Sequence, residues 1–207
     1  MKSTLAFSAL ALAAMSQAIT LGQLDTFTSG TENWIGSSPS LAMGGPGGAS
    51  DQFLRLESGP GFSPKMAARN ITQWLGNYTL AGVDSVTLHV ANFGVSAIEL
   101  RVAVFGSAAQ EFTSTISSTI AADGVWRSFS FSLASSALTS VGANNDYAGA
   151  MAGVTNFMFR HNPGAPTGAG NHPNFTGVMG IDNVRAVLEP ASLLVVAFGV
   201  GFLRRRR

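Results

Sequence analysis

The 207-residue chain contains no cysteine, which excludes disulfides, thiolate-bound metals and cysteine nucleophiles together. Charge is scarce as well, with Asp, Glu, Lys and Arg making up 11% of the residues, too few for the ion-pair-laced surface of a helical bundle. The formal charge of +1 belongs to the ends. Between Lys2 and the four terminal arginines lie seven basic residues against eleven acidic ones, a formal charge of −4. Such a surface repels phosphate backbones, and no basic patch interleaved with aromatics offsets it, which argues against nucleic acid as a partner. Catalytic signatures are also missing. There is no serine in a strand-to-helix elbow and no metal-binding histidine motif, and the glycine-rich stretch 44–48 lacks the Lys-Ser/Thr of a phosphate loop. A non-catalytic protein is expected. The alternative is an extracellular glycan hydrolase whose carboxylate pair is drawn from Glu57, Glu99 and Glu111.

What fills the chain instead is Gly, Ser, Thr, Ala and Asn, arranged as period-two alternation between turn residues, the pattern of half-buried antiparallel strands. Val86, Leu88 and Val90 alternate with Thr87 and His89. Ile98, Leu100, Val102 and Val104 alternate with Glu99, Arg101 and Ala103, and Asn92-Phe93-Gly94 between the two runs reads as a hairpin turn. Val125, Arg127, Phe129, Phe131 and Leu133 alternate with Trp126 and three serines. Further strands are expected over Phe53 to Glu57, Met66 to Asn70, Glu111 to Ile120, Thr155 to His161 and Gly177 to Val187, with a short helical turn over Ala134 to Val141. About eight to ten such strands imply an all-β fold, an antiparallel β-sandwich of jelly-roll type, over residues 19–187.

The two ends read differently. Lys2, the apolar run Leu5 to Met15 and Ser16-Gln17-Ala18 have the three-part layout of a secretory signal peptide, a helix over 1–18 removed so that the mature chain begins at Ile19. At the C-terminus Glu189-Pro190 precedes thirteen apolar residues, Ala191 to Leu203, expected as a hydrophobic helix, and then Arg204, Arg205, Arg206 and Arg207. Four guanidinium groups hold such a tail on the cytoplasmic side, and the run is shorter than the ~20 residues of a comfortable span. Residues 188–207 resemble the PEP-CTERM sorting signal of Gram-negative bacteria, with Leu188 in place of the usual first proline. The resemblance implies transient anchoring in the inner membrane, processing by an exosortase-type peptidase, and delivery to the cell surface or an exopolysaccharide matrix. A plain C-terminal membrane anchor is the other reading.

Several phrases of the central segment resemble the carbohydrate-binding-module-like jelly rolls of exported bacterial proteins. They are Leu24-Asp25-Thr26-Phe27 followed by Trp34, the glycine-rich 44–51 leading into Phe53-Leu54-Arg55-Leu56, Asp123-Gly124-Val125-Trp126, and Gly180-Ile181-Asp182-Asn183-Val184. The resemblance implies first and last strands side by side, with a structural calcium held by Asp25, Asp51 and Asp182, oxygen ligands that suit a hard cation. A bulge is expected at Asp182-Asn183. Trp34 and Trp126 are candidates for stacking on a polysaccharide, since a flat aromatic face matches the apolar face of a pyranose; packing is the competing role for any tryptophan in a sandwich. His161 and His172 flank a long loop but lack the further ligands a zinc or copper site needs.

Overall fold

The computed structural model describes residues 18–189. The expected signal helix, apart from Ala18, and the tail from Pro190 onward, with its hydrophobic helix and arginines, lie outside the described residues. In chain order the elements are β1 (Leu24–Asp25), β2 (Trp34–Gly36), β3 (Ser40–Gly45), β4 (Gly48–Ser58), β5 (Ala67–Asn70), the one-turn helix α1 (Tyr78–Ala81), β6 (Ser85–Asn92) and β7 (Ile98–Phe105). There follow β8 (Glu111–Ser114), β9 (Ser118–Ile120), β10 (Arg127–Ser132), a 3-10 turn (Ser135–Ala137), β11 (Leu138–Ser140), α2 (Tyr147–Ala152), β12 (Asn156–His161) and β13 (Gly177–Val187).

Alternating sequences bury one face of each sheet, and two such faces close on each other. Sheet one has the order β10-β6-β13-β4-β3, with β1 beside β13; sheet two has the order β11-β8-β7-β12-β5-β2, with β9 beside β7. The result is the jelly-roll-like antiparallel β-sandwich that the alternation predicts. Leu54, Leu56, Val86, Leu88, Val90, Met179 and Ile181 of sheet one meet Leu100, Val102, Val104, Phe157 and Phe159 of sheet two in a single core. Each such side chain contributes roughly 1.5–3 kcal/mol by leaving water. The first and last strands pair, Asp25 opposite Val184, and the ladder of β13 slips between Asp182 and Arg185, where Asn183 takes a left-handed φ of 51°.

Three local expectations are corrected. Asn92-Phe93-Gly94 does not close a hairpin, because β6 lies in sheet one and β7 in sheet two. Their apolar faces meet across the core instead of lying side by side. Asn92 fixes the crossing, its Nδ2 donating to Ser96 O (2.8 Å) and Ile120 O (3.1 Å) while its Oδ1 accepts from Gly94 N–H (2.9 Å). The strand expected over Glu111 to Ile120 breaks between β8 and β9, where two extra residues between Thr113 and Ser118 lift it off β7, while Thr115 N–H still reaches Ala137 O (2.8 Å) beside β11. The helical turn expected over Ala134 to Val141 is only the 3-10 turn, and its second half is β11.

Arg101 and Arg160 occupy the polar phase of their strands and face each other across β7 and β12, yet they are 2% and 0% exposed. The glycine- and proline-rich segment 162–176 lies over them. Arg101 donates to Asn162 O (2.9 Å), Gly164 O (2.6 Å) and Ser114 O (2.5 Å). Arg160 donates to Thr167 O and to Glu111 Oε1 (2.8 Å), which also accepts Ala169 N–H (2.7 Å). Two guanidinium forks thus supply donors to a loop that has few bonds of its own. They close the centre of sheet two's outer face, whereas among the described residues the outer face of sheet one carries no such cover.

Candidate functional site

The pleat of β4 sends Leu54 and Leu56 into the core and so puts Phe53, Arg55 and Glu57 on the outer face of sheet one. In β10 Phe129 and Phe131 take the inward phase, leaving Trp126, just before the strand, in phase with the outward serines. Between these strands runs β13, whose Gly180 pairs with Arg55 on one side and Ala91 on the other. The missing side chain makes room for three rings. A Cβ on Gly180 would stand 2.7 Å from Trp126, 2.9 Å from Phe93 and 3.0 Å from Phe53.

Phe53 and Phe93 stack at 5.6 Å, and Trp126 meets them edge-on at 5.0 and 5.9 Å, geometries that the ring quadrupoles favour. The indole N–H of Trp126 donates to Gly44 O (2.9 Å), tying the entry of β10 to the end of β3. Trp126 is therefore a half-buried wall of the cluster. Alongside lies a groove of about 260 Å³ bordered by Met43, Gly44, Phe53, Arg55 and Phe93. Phe93 is 42% and Met43 64% exposed, so the groove offers water an apolar surface. Its polar contact point is Arg55, which pairs with Glu57 at 2.5 Å and is partly open to solvent. His89 stands on the same face opposite Asp182, its Nδ1 buried without a partner among the described residues.

Asp51 and Asp182 come together at the β3–β4 end of this face. A Cβ on Gly45 would meet the Oδ2 of both, at 2.5 and 3.3 Å; Asp51 Oδ2 accepts Gly47 N–H (2.7 Å) and Asp182 Oδ1 accepts Asn183 N–H (2.7 Å). Burial above all, then the Asp51 charge and finally Glu32, push the Asp182 carboxyl up to about 7, while the Asn183 N–H works the other way. Asp25 does not join them. Its Oδ2 accepts the indole N–H of Trp34 (2.7 Å) and of Trp74 (2.6 Å). Among the described residues no three His, Asp or Glu side chains converge where an ion would be held, so the expected three-carboxylate arrangement is corrected to a pair. Trp34 is likewise corrected. It is fully buried, stacked on Phe159 at 5.7 Å, and has no face to offer a ligand.

The remaining sequence candidates are dispersed. Glu57 pairs with Arg55, Glu111 with Arg160, and Glu99 accepts the hydroxyls of Ser117 (2.7 Å) and Thr119 (2.8 Å). His161 Nδ1 accepts Glu99 N–H (3.0 Å), and its ring lies 4.2 Å from that of Phe175. His172 Nδ1 bonds Ala169 O (2.6 Å), and burial pushes its pKa down to about 4, aided by Arg160 and Lys65. Glu189 N–H is bound by Asp84 Oδ1 (2.6 Å). Phe53, Phe93, Met43 and Gly180 are not singled out by sequence reasoning as binding residues. The available signal is an aromatic in the polar phase of an alternating strand, at Phe53.

Among solved structures, the fold is similar to the family 11 carbohydrate-binding module of Clostridium thermocellum in complex with a β-1,3-1,4-mixed-linked tetrasaccharide. That match has a TM-score of 0.51 at 13% identity and covers 82% of this chain and 97% of that one. The family 11 module of a cellulosomal cellulase of Clostridium thermocellum gives 0.50 at 11% identity, over 82% and 96%. An exo-β-agarase gives 0.55 at 11% identity, over 82% of this chain but 25% of that one. At such identities the likeness is one of fold. No family profile matches the chain, and no curated protein is similar to it in sequence.

Proposed function

We propose that this domain is a non-catalytic, carbohydrate-binding β-sandwich that seats a polysaccharide along the aromatic groove of sheet one. The observation that carries the reading is the meeting of Phe53, Phe93 and Trp126 over Gly180 on the outer face of sheet one. Phe53 is buried within the cluster, so the exposed ring of Phe93 and the half-buried Trp126 offer a pyranose its apolar plane, and Arg55, paired with Glu57, offers charge-assisted hydrogen bonds. The shared fold with a module solved in complex with a tetrasaccharide supports the same reading. Affinity electrophoresis in gels containing mixed-linked glucan, agarose or other neutral polysaccharides tests it. Retardation by at least one of them, weakened tenfold or more by Phe93→Ala, is expected; free migration in every gel overturns it.

The export reading rests on the two ends of the sequence. The chain is sorted by its PEP-CTERM-like tail, cut near Glu189-Pro190 by an exosortase-type peptidase, and displayed on the cell surface or in the extracellular matrix. Intact mass and fractionation of the native protein, compared with a version truncated after Leu188, test this; unchanged mass and location at both ends overturn it.

The Asp51–Asp182 pair fits a hard cation, because a buried Asp182 carboxylate beside the half-buried one of Asp51 is repelled by it until a proton or a divalent ion comes between them. Calcium there would act as a structural brace, held by Asp51 and Asp182. Melting with and without chelator reads it directly, and an unaltered midpoint removes the ion.

A further inference from the structure

A second cavity lies on another side of the molecule, where the sandwich gapes at its edge. It has a volume of about 300 Å³ and is lined by residues of the β8–β9 break, of β10 and of the 3-10 turn. Thr113 and Ser118 lie five positions apart while their β7 partners Ala103 and Leu100 lie three apart, so the segment 115–117 bulges from β7, while Thr115 N–H extends the β8–β11 ladder to Ala137 O (2.8 Å). On the opposite wall β10 is an edge strand of sheet one, with β6 its neighbour on one side and, among the described residues, no strand on the other.

Three features give this cleft the character of a binding site. First, none of its lining residues is charged, and seven carry hydroxyls. Second, Ser114 is 6% exposed and borders the cleft, yet its buried Oγ has no hydrogen-bond partner among the described residues. A buried hydroxyl left in that state is unfavourable, and a ligand group would offset the loss. Third, the edge of β10 away from β6 meets no strand among the described residues. Leu133 N–H bonds Asp84 O (2.8 Å) and Ser85 Oγ bonds Phe131 O (3.1 Å), so these odd positions direct their backbone groups at β6. Alternation then turns the N–H and C=O of Ser130 and Ser132 outward, to the cleft.

The chemistry is that of donors and acceptors in balance without formal charge. Ser117 spends its proton on Glu99 Oε2 (2.7 Å) and presents lone pairs; the β10 edge presents both N–H and C=O; Ser114 can give or take. A phosphate, carboxylate or ammonium group would find no countercharge in this lining. Sugar hydroxyls, each both donor and acceptor, match the set. Ile116, 81% exposed, and Ala137 add an apolar flank. The volume lies at the lower end of the ~300–1,000 Å³ typical of small-molecule sites, which suits one ring and not a chain running through.

We infer that the hydroxyl-lined cleft between the β8–β9 break and the edge of β10 binds a single neutral pyranose, a monosaccharide or the end of a glycan chain. This site is separate from the groove of sheet one and does not depend on it. The test is a titration of the full-length chain, followed by amide shifts, with glucose, galactose, mannose and N-acetylglucosamine one at a time. Saturable shifts confined to 114–118 and 130–137 are expected with at least one of them, retained in Phe93→Ala. Ser114→Ala should weaken that binding three- to tenfold without lowering the melting temperature, since it removes an unpaired polar group. Ser136→Trp, at an exposed position on the rim, should abolish it by filling the entrance. Absence of saturable shifts with all four sugars overturns the inference, as does binding that survives Ser136→Trp. If instead an extended Ser/Thr-rich peptide shifts the β10 amides while the sugars do not, the edge is a strand-addition site and the pyranose assignment is wrong.

Discussion

Asp25 is where a single substitution reads the interior most directly. Its Oδ2 is the acceptor for two indole N–H groups, of Trp34 and Trp74, at 2.7 and 2.6 Å, and both rings are wholly buried. Gln73 also reaches Asp25 (3.3 Å) but donates to Glu32 O as well, so it stays paired when Asp25 is lost. Asp25→Ala therefore strands two donors at about 1–3 kcal/mol each. Part of this is recovered, because burial raises the Asp25 pKa against the pull of the indole donors, which means that the charged form is held at a cost. The net expectation is a loss of about 2–5 kcal/mol, a large fraction of the ~5–15 kcal/mol that holds a domain together. At ~2–4 °C per kcal/mol for a domain of this size, the midpoint falls by roughly 4–20 °C. Asp25→Asn keeps an acceptor oxygen in place and should lose less than about 2 kcal/mol. Urea unfolding followed by tryptophan fluorescence measures both, with the midpoint moving at constant slope. A loss below about 1 kcal/mol in Asp25→Ala would defeat this account of the buried acceptor. So would a calcium effect on melting that disappears in Asp25→Asn, since that would return Asp25 to the ion.

Gly180→Ala brings a methyl within 3.0 Å of three ring atoms, and the rings must give way; a loss of about 1–3 kcal/mol and weaker polysaccharide retardation are expected, and an unaltered affinity would count against the groove. Glu111→Ala leaves the fully buried Arg160 guanidinium without its carboxylate, which should cost about 3 kcal/mol and expose the 162–176 segment to proteolysis, both absent if the loop is held otherwise. Acid titration in chelator should divide into two opposed contributions. Asp182, raised to about 7, takes up its proton more readily when folded, so its contribution to stability is present below about pH 4 and lost as pH rises toward 7. His172, lowered to about 4, resists protonation when folded, so its contribution is present above about pH 6.5 and lost as pH falls toward 4. Relative to the parent, Asp182→Asn should lose stability on acidification from about pH 7 to 5, and His172→Gln should gain it; either sign reversed would disprove that assignment.

Much of the architecture follows from local pattern. Period-two alternation assigns each side chain to a face whatever the strand's neighbours are. The inward positions, Leu54 and Leu56 of β4 or Val86, Leu88 and Val90 of β6, are therefore readable residue by residue. The bulge at Asp182-Asn183 is legible in the same way, as a break in the alternation of β13. The secretory and sorting character expected of the two ends is also a local reading, taken from composition over short windows.

What the pattern leaves open is which strands pair. The pleat says which way Val90 and Ile98 face but not whether their strands lie side by side or on opposite sheets, and burial against a facing sheet satisfies both. Asp25 reads as an ion ligand in the sequence because its partner Trp74 lies 49 positions away, and the two meet only after β1 docks on β13. Gly180 carries no mark of a binding surface until three rings, from β4, from the β6–β7 crossing and from the entry to β10, close over it. Such sites are built from long-range contacts whose energies depend on burial, and burial is a property of the assembled sandwich and not of any stretch of chain.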